Sequence, residues 1–271
     1  MGSPYFMKTI INKTFSQRFF WSRMSRYPVI GRLMEYLLFE NDEIIYLPKD
    51  QSIPVNRSLA PREDLVLPSM ILEHFIRRAN YHWIMNFCIC RDSSSCKDYP
   101  IDLGCIFLGE AAMGINPRFG RKVTAEEALA HAARCREAGL VHLIGRNKLD
   151  TVWLNVGPGN KLLTVCNCCP CCCLWKVLPT INPAISAKVN RMPGVTVTVT
   201  ERCVGCGTCT RDVCFVGAIR LEGKQAVIDE SCRGCGRCVT VCPKEAIEIT
   251  VDDRDGYAAV IDKIDQLVTI A

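Results

Sequence analysis

Cys232-Arg-Gly-Cys235-Gly-Arg-Cys238-Val-Thr-Val-Cys242-Pro243 sets three cysteines at intervals of two intervening residues and a fourth after three more. Three thiolates so spaced can converge on three irons of one cubane from a tight loop, and the fourth lies beyond the loop's reach for the same cube. Zinc competes, because two-residue spacings also suit tetrahedral four-cysteine sites, but zinc ribbons use pairs rather than triplets. Upstream, Cys203, Cys206, Cys209 and Cys214 repeat the pattern, and Ala218-Ile219 and Ala246-Ile247 follow the two copies in register. Gly205 and Gly207 flank Cys206 as Gly234 and Gly236 flank Cys235, which lets the backbone curl closely with its amides free for cluster sulfurs. Two [4Fe–4S] clusters are expected here.

These residues resemble the bacterial-type two-cluster ferredoxins over about residues 195–251. The resemblance implies crossed ligation: Cys203, Cys206, Cys209 and Cys242 around one cluster, and Cys232, Cys235, Cys238 and Cys214 around the other. It also implies a hairpin from Ile219–Leu221 and Ala226–Ile228 about Gly223. The first copy departs from the family pattern twice: Cys209 and Cys214 are separated by four residues, and Phe215 replaces the usual proline. The register of Cys214 to Ala218-Ile219 makes the extra residue a local bulge. The segment's charge is balanced where a freely diffusing ferredoxin is often acidic, which favours a fused electron relay.

Nineteen cysteines in 271 residues leave eleven beyond those eight. Cys88, Cys90, Cys96 and Cys105 fall within one short stretch near Gly104 and Gly109. Burial as small hydrophobes beside Phe87 and Ile89 is the simpler account, but four thiols at loop spacing exceed what packing explains. Cys166, Cys168, Cys169, Cys171, Cys172 and Cys173 crowd one octapeptide around Pro170. Six inert thiols do not fit one face of so short a peptide, and vicinal disulfides are strained. The ten are therefore candidate metal ligands, combined across space, for one or two further iron–sulfur clusters or zinc. Cys135 stands alone. His74, His82, His131 and His142 read as satisfied or exposed rather than as ligands, and Gly157-Pro158-Gly159 as a turn.

Composition sets the frame: 49% of residues are hydrophobic and 23% charged, enough for a packed core. No signal segment opens the sequence and no run is long and apolar enough for a membrane span, so the thiols point to a reducing, cytoplasmic setting. Of the net charge of +5, residues 1–34 contribute six bases and no acid (Lys8, Lys13, Arg18, Arg23, Arg26, Arg32). No basic face for nucleic acid extends along the rest. Ile10, Ile11, Phe15, Phe19, Met24 and Tyr27 recur at helical spacing up to Pro28, and a second helical stretch surrounds Leu33, Met34, Leu37 and Leu38. Such an arm can pack on its own protein, on a partner, or peripherally on a membrane.

Residues 47–68, with Pro48, Pro54, Pro61 and Pro68, read as an extended connection. A helix from about Ser69 buries Ile71, Leu72, Phe75 and Ile76. Another starts at the capping box Thr124-x-x-Glu127 and stops at Gly139. Val195–Thr200 alternates as a strand. The expected architecture is α+β: residues 1–60 a basic amphipathic arm and linker, 61–190 a helical cysteine-rich module, and 191–271 a two-cluster ferredoxin-type domain with short hairpins and a C-terminal tail. The expected function is single-electron relay between redox protein partners in anaerobic metabolism. The alternatives are a reductase with its active centre in the cysteine-rich module, and a structural metal-binding subunit.

Overall fold

Residues 2–50, 67–251 and 253–271 are described in this computed structural model. Its strands are, in chain order, β1 Glu43–Tyr46, β2 His82–Met85, β3 Ile106–Leu108, β4 Gly120–Val123, β5 Val141–Arg146, β6 Leu163–Cys168, β7 Val189–Arg191, β8 Val195–Val199, β9 Ile219–Glu222, β10 Gln225–Ile228 and β11 Ile247–Val251. The first seven form one sheet in the order β4-β2-β3-β6-β5-β1-β7. Its neighbours run antiparallel except β1 and β7, which are parallel. Two further pairs stand apart, β8 with β11 and β9 with β10. The fold is α+β, as the sequence implies.

Strand geometry sends successive side chains to opposite faces, and here both faces are covered. Ile45, Ile84, Ile106, Leu108, Ile144, Leu163 and Val165 point to one core, filled from the helix Pro68–Arg78 by Ile71, Leu72, Phe75 and Ile76 and from Ala125–Glu137 by Ala128 and Ala132. On the opposite face, Ile44, Tyr46, Val141, Leu143 and Cys168 join Trp175, Val177, Ile181, Ile185 and Phe215. Trp83, Met85 and Phe107 belong to a third cluster with Phe87, Ala112, Phe119 and Leu154. Strands buried on both faces lack polar alternation, so the sheet leaves little period-two trace in the sequence.

The expected local signals are met where they are described. Glu127 N–H donates to Thr124 Oγ1 and Glu127 Oε2 accepts from Thr124 N–H, closing the capping box. Gly139, in the left-handed region, ends that helix, and Leu140 N–H reaches back to the Cys135 carbonyl. Pro68 occupies the first turn of its helix, where a missing N–H costs nothing. Of the extended connection, residues 51–66, including Pro54 and Pro61, lie outside the described residues.

The N-terminal arm folds as helices Phe6–Thr14 and Arg18–Met24, then Pro28–Met34. It is pinned to the body. Asn12 donates to Asp92, Ser22 bonds Thr180, the Arg26 guanidinium reaches the carbonyls of Pro179 and Thr180, and Asn182 bonds both Ser25 Oγ and its carbonyl.

The other end of the chain is shared as well. From the helix Asp253–Leu267 and the residues after it, Val260, Ile264, Val268 and Ile270 enter the first core with Val195 and Ile249 of β8 and β11. Ile270 accepts from Asn80 N–H and Thr269 donates to Asn160. Asn80 and Asn160 both lie within residues 61–190, so the core of that segment is completed by residues from the far end of the chain.

Candidate iron–sulfur and metal centres

The two cysteine loops near the C-terminus have one conformation twice. Gly205 and Gly207 take φ of +67° and +73°, and Gly234 and Gly236 take +64° and +77°. A Cβ at Gly205 would stand 2.6 Å from the Lys224 carbonyl, and one at Gly234 would stand 2.8 Å from Arg191 Cγ and Val195 Cγ1. Further along, Gly217 (+67°) and Glu245 (+46°) are equivalent left-handed positions, each three residues past its fourth cysteine. The extra residue of the first copy is absorbed at Asp212, which turns left-handed at +56°. The hairpin about Gly223 forms as β9 and β10.

This duplication brings the eight thiols together in crossed sets. Cys203, Cys206, Cys209 and Cys242 line one cavity with Leu221, Ala226 and Ile247. Cys214, Cys232, Cys235 and Cys238 line another with Val197, Phe215 and Ile228. Backbone amides aim at sulfur in both: Ala226 N–H to Cys203 Sγ, Ala246 N–H to Cys242 Sγ and Gly234 N–H to Cys232 Sγ, each at 3.3 Å. The hydroxyl and amide of Thr208 hold the Cys206 thiol below its usual value, whereas burial pushes Cys232, Cys235 and Cys238 up. Thiolates buried in apolar walls need positive charge to share, and iron supplies it. Four sulfurs with amide donors on flexible glycine loops are the donor set a cubane requires.

The ten N-terminal thiols divide into two groups. Alternation along β6 turns Cys166 and Cys168 to the second face of the sheet, where register places them opposite Leu143 and Val141. There Cys88, Cys90, Cys105, Cys166, Cys168 and Cys173 surround a cavity of about 180 Å³, which Cys169 also borders. Cys105 and Cys166 lie 3.9 Å apart, Cys168 and Cys173 3.3 Å. Hydrogen bonds from Cys166 and Cys173, together with the charges of Arg237 and Arg91, hold the Cys168 thiol well below its usual value. A hydrogen bond from Cys90 brings Cys88 down to about 7. The remaining thiols, Cys96, Cys171 and Cys172, turn away and meet Cys169. Cys135 belongs to neither group: it is buried among Leu103 and Leu140, and burial pushes its thiol up to about 12.

Residues other than cysteine complete the six-thiol cavity. Ile11 and Phe15 of the N-terminal arm form part of its wall, with Trp153 and Trp175. Asp150 is the acid in the lining. Asn147, Thr164 and Trp153 donate to it, and burial raises its carboxyl to about 6. Arg91 is fully buried; its Nη atoms donate to the carbonyls of Asn167 and Leu103, and its Nε–H has no partner. Spacing alone does not reveal these arginines; a basic residue inside a cysteine run is the available signal. A buried cation with an unused donor beside several thiols suits an anionic occupant, and a thiolate-ligated cluster is one.

Three of the histidines hydrogen-bond core oxygens, whereas His74 Nε2 and the second ring nitrogen of His142, Nε2, are buried without a partner. His131 Nε2 lies 2.9 Å from the Gly104 carbonyl, His142 Nδ1 2.7 Å from Asn167 Oδ1, and His82 Nε2 2.6 Å from the Ile76 carbonyl.

Residues 209–252 match the family model described as the LdpA Fe-S cluster-binding domain. The match takes in Cys209, Cys214, Cys232, Cys235, Cys238 and Cys242. No curated protein and no solved structure matches the chain. With an Fe–S cluster-binding domain in its C-terminal part and grouped thiols elsewhere, the chain is an iron–sulfur protein that binds metal through cysteine. No described helix is long and apolar enough to cross a membrane.

Proposed function

We propose that the protein relays single electrons between redox partners through a row of centres. Two [4Fe–4S] clusters would occupy the crossed quartets, and a third iron–sulfur centre would occupy the six-thiol cavity. The observation that carries this reading is the wall between the second quartet and that cavity. Tyr46 and Phe215 meet there with ring centroids 4.7 Å apart and planes tilted by 32°. They share one core with Cys168 and Cys173 on one side and Cys214, Cys232 and Cys235 on the other. Arg237, next to Cys238, donates to the Cys168 carbonyl. Contiguous buried packing suits electron transfer. The chain's part is to hold the centres, keep water out and tune potentials through amides and buried arginines.

The test is anaerobic purification with iron and sulfide analysis and electron paramagnetic resonance. About eight irons from the quartets and up to four more from the cavity are expected, with reducible signals from more than one centre. A protein without acid-labile sulfide would overturn the proposal.

A second reading, a reductase centred on the cavity, is favoured by Asp150. A carboxyl raised to about 6 beside the thiols can carry a proton near neutrality. Oxidation of the reduced cavity centre by a small acceptor, slowed in Asp150→Asn, would support it.

A further inference from the structure

We propose that Cys96, Cys169, Cys171 and Cys172 bind a single tetrahedral ion, zinc by ligand chemistry, separate from the centre in the six-thiol cavity. Among the described residues they are the one group of potential ligands whose donor atoms all lie within 4.8 Å of one another. Cys96 Sγ and Cys171 Sγ are 3.6 Å apart, as are Cys171 Sγ and Cys172 Sγ. Zn–S bonds of about 2.3 Å put tetrahedral sulfurs about 3.8 Å apart, so the quartet already has the span of one ion. A four-iron cube would interpose its own body and hold the thiolates wider. Four sulfurs leave no open position, which marks a structural rather than a catalytic ion.

The surroundings suit thiolates. Cys172 N–H donates to Cys169 Sγ at 3.3 Å. The placement also gives the ion a task. Cys169, Cys171 and Cys172 belong to the turn that follows β6, whereas Cys96 belongs to the loop after the helix Ile89–Ser93. An ion there ties the two segments together and fixes Cys168 and Cys173, which flank the turn and face the cavity.

This inference rests on the N-terminal thiols binding metal, and the test separates the two failures. Full-length protein, purified anaerobically, is analysed for zinc, iron and sulfide. About one zinc per chain is expected. Cys96→Ser should lower it at least fivefold while the ferredoxin-type resonance signals persist, and Cys105→Ser should leave it in place. Cobalt loaded in place of zinc should show the visible bands of tetrahedral thiolate coordination. Should Cys96→Ser fail to fold, Cys96→His keeps four ligands and should retain the ion. If zinc is absent and Cys96→Ser instead loses iron and sulfide, the ion is overturned and the iron–sulfur reading stands. If zinc is absent and no iron beyond the two quartets' is found, both fall.

A second inference concerns a different surface. We infer that the outer side of residues 20–37 rests on an anionic lipid bilayer. Val29, Leu33, Tyr36 and Leu37 follow one another at i, i+4, i+7 and i+8, and they are 80%, 56%, 62% and 50% exposed. Phe20, Trp21 and Tyr27 are exposed just before them. Arg23, Arg26 and Arg32 are exposed within this stretch, and its one acid, Glu35, is paired with Lys188; this positive balance commits the apolar side to a negatively charged occupant, and aromatic and arginine side chains suit the interfacial zone. Full-length protein should sediment with vesicles containing phosphatidylglycerol and not with phosphatidylcholine alone. High salt or Leu33→Glu should weaken the binding about tenfold. Failure to sediment with either vesicle overturns the inference. So does a dimer in solution that Leu33→Glu dissolves, since a second copy would then cover the stripe.

Discussion

The guanidinium of Arg237 donates to the main-chain carbonyl of Cys168, joining the loop that carries Cys235 and Cys238 to the strand that carries the cavity thiols Cys166 and Cys168. Arg237 is buried, and its Nε–H and one Nη1 group have no protein partner. Its charge lies near both Cys168 and Cys235. Arg237→Gln should therefore make the adjacent centre harder to reduce. Removing a unit charge at about 8 Å in an effective dielectric of about 20 shifts a potential by about 90 mV to the negative. Redox titration followed by electron paramagnetic resonance checks the sign. An unchanged potential would separate Arg237 from the electron path.

The proposed crossed ligation has a discriminating consequence. Cys214→Ser should alter the signal of the cluster on Cys232, Cys235 and Cys238 and spare its neighbour. Cys242→Ser should do the reverse, on the cluster of Cys203, Cys206 and Cys209. Spectra in which each substitution damages the cluster nearest in sequence would assign the ligands the other way.

Ile264 is fully buried in the core that the C-terminal helix shares with Ile71 and Phe75. Ile264→Ala should destabilise the protein by about 2–5 kcal/mol, the usual cost of such a cavity. Denaturation should show one transition moving as a whole. An upstream part that keeps its midpoint while the C-terminal part loosens would show that the core is not cooperative.

Asp42 is buried, with Oδ1 accepting from Lys148 N–H at 2.6 Å, and it faces Asp150, Lys188 and Arg146 as well. Burial raises its carboxyl to about 7 from an ordinary 3.8. Between those values the folded chain keeps a proton that the unfolded chain has released, so this group lowers stability as pH rises through that window. Asp42→Asn keeps the acceptor and removes the ionisation. Relative to the native protein it should gain stability from pH 5 to pH 8, by about 1–4 kcal/mol, because each pH step across that window costs the native fold up to about 1.4 kcal/mol. A pH-independent difference between the two melting temperatures would contradict the raised carboxyl.

The duplicated cysteine loops near the C-terminus were legible because their information is local. Cysteine intervals, paired glycines and the Ala-Ile steps lie within short loops, and only the placement of the extra residue at Asp212 needed three dimensions. The capping box at Thr124 and the stop at Gly139 were legible for the same reason. The large sheet was not. Strands such as Ile106–Leu108 and Val141–Arg146 are short and buried on both faces, so no polar beat marks them. The division of the ten N-terminal thiols depends on that sheet. Facing is set by β6, where Cys166 and Cys168 alternate with Val165 and Asn167, and by the turn after it. A one-residue slip of β6 would exchange the inward and outward thiols, and cysteine spacing contains no information about register. The charge of the arm suggests a separable segment, yet Ile11 and Phe15 wall the cavity.

The packing of Val260, Ile264, Val268 and Ile270 against Ile71, Phe75 and Ile76 sets an order of events during synthesis. A ribosome delivers Cys88 through Cys173 well before the helix that closes their core. For the time needed to add nearly a hundred residues, these thiols wait on an unfinished sheet, exposed to oxidation and to any passing metal. Contacts so distant in sequence also slow folding. Closure of the core around these thiols thus follows translation of that helix instead of preceding it.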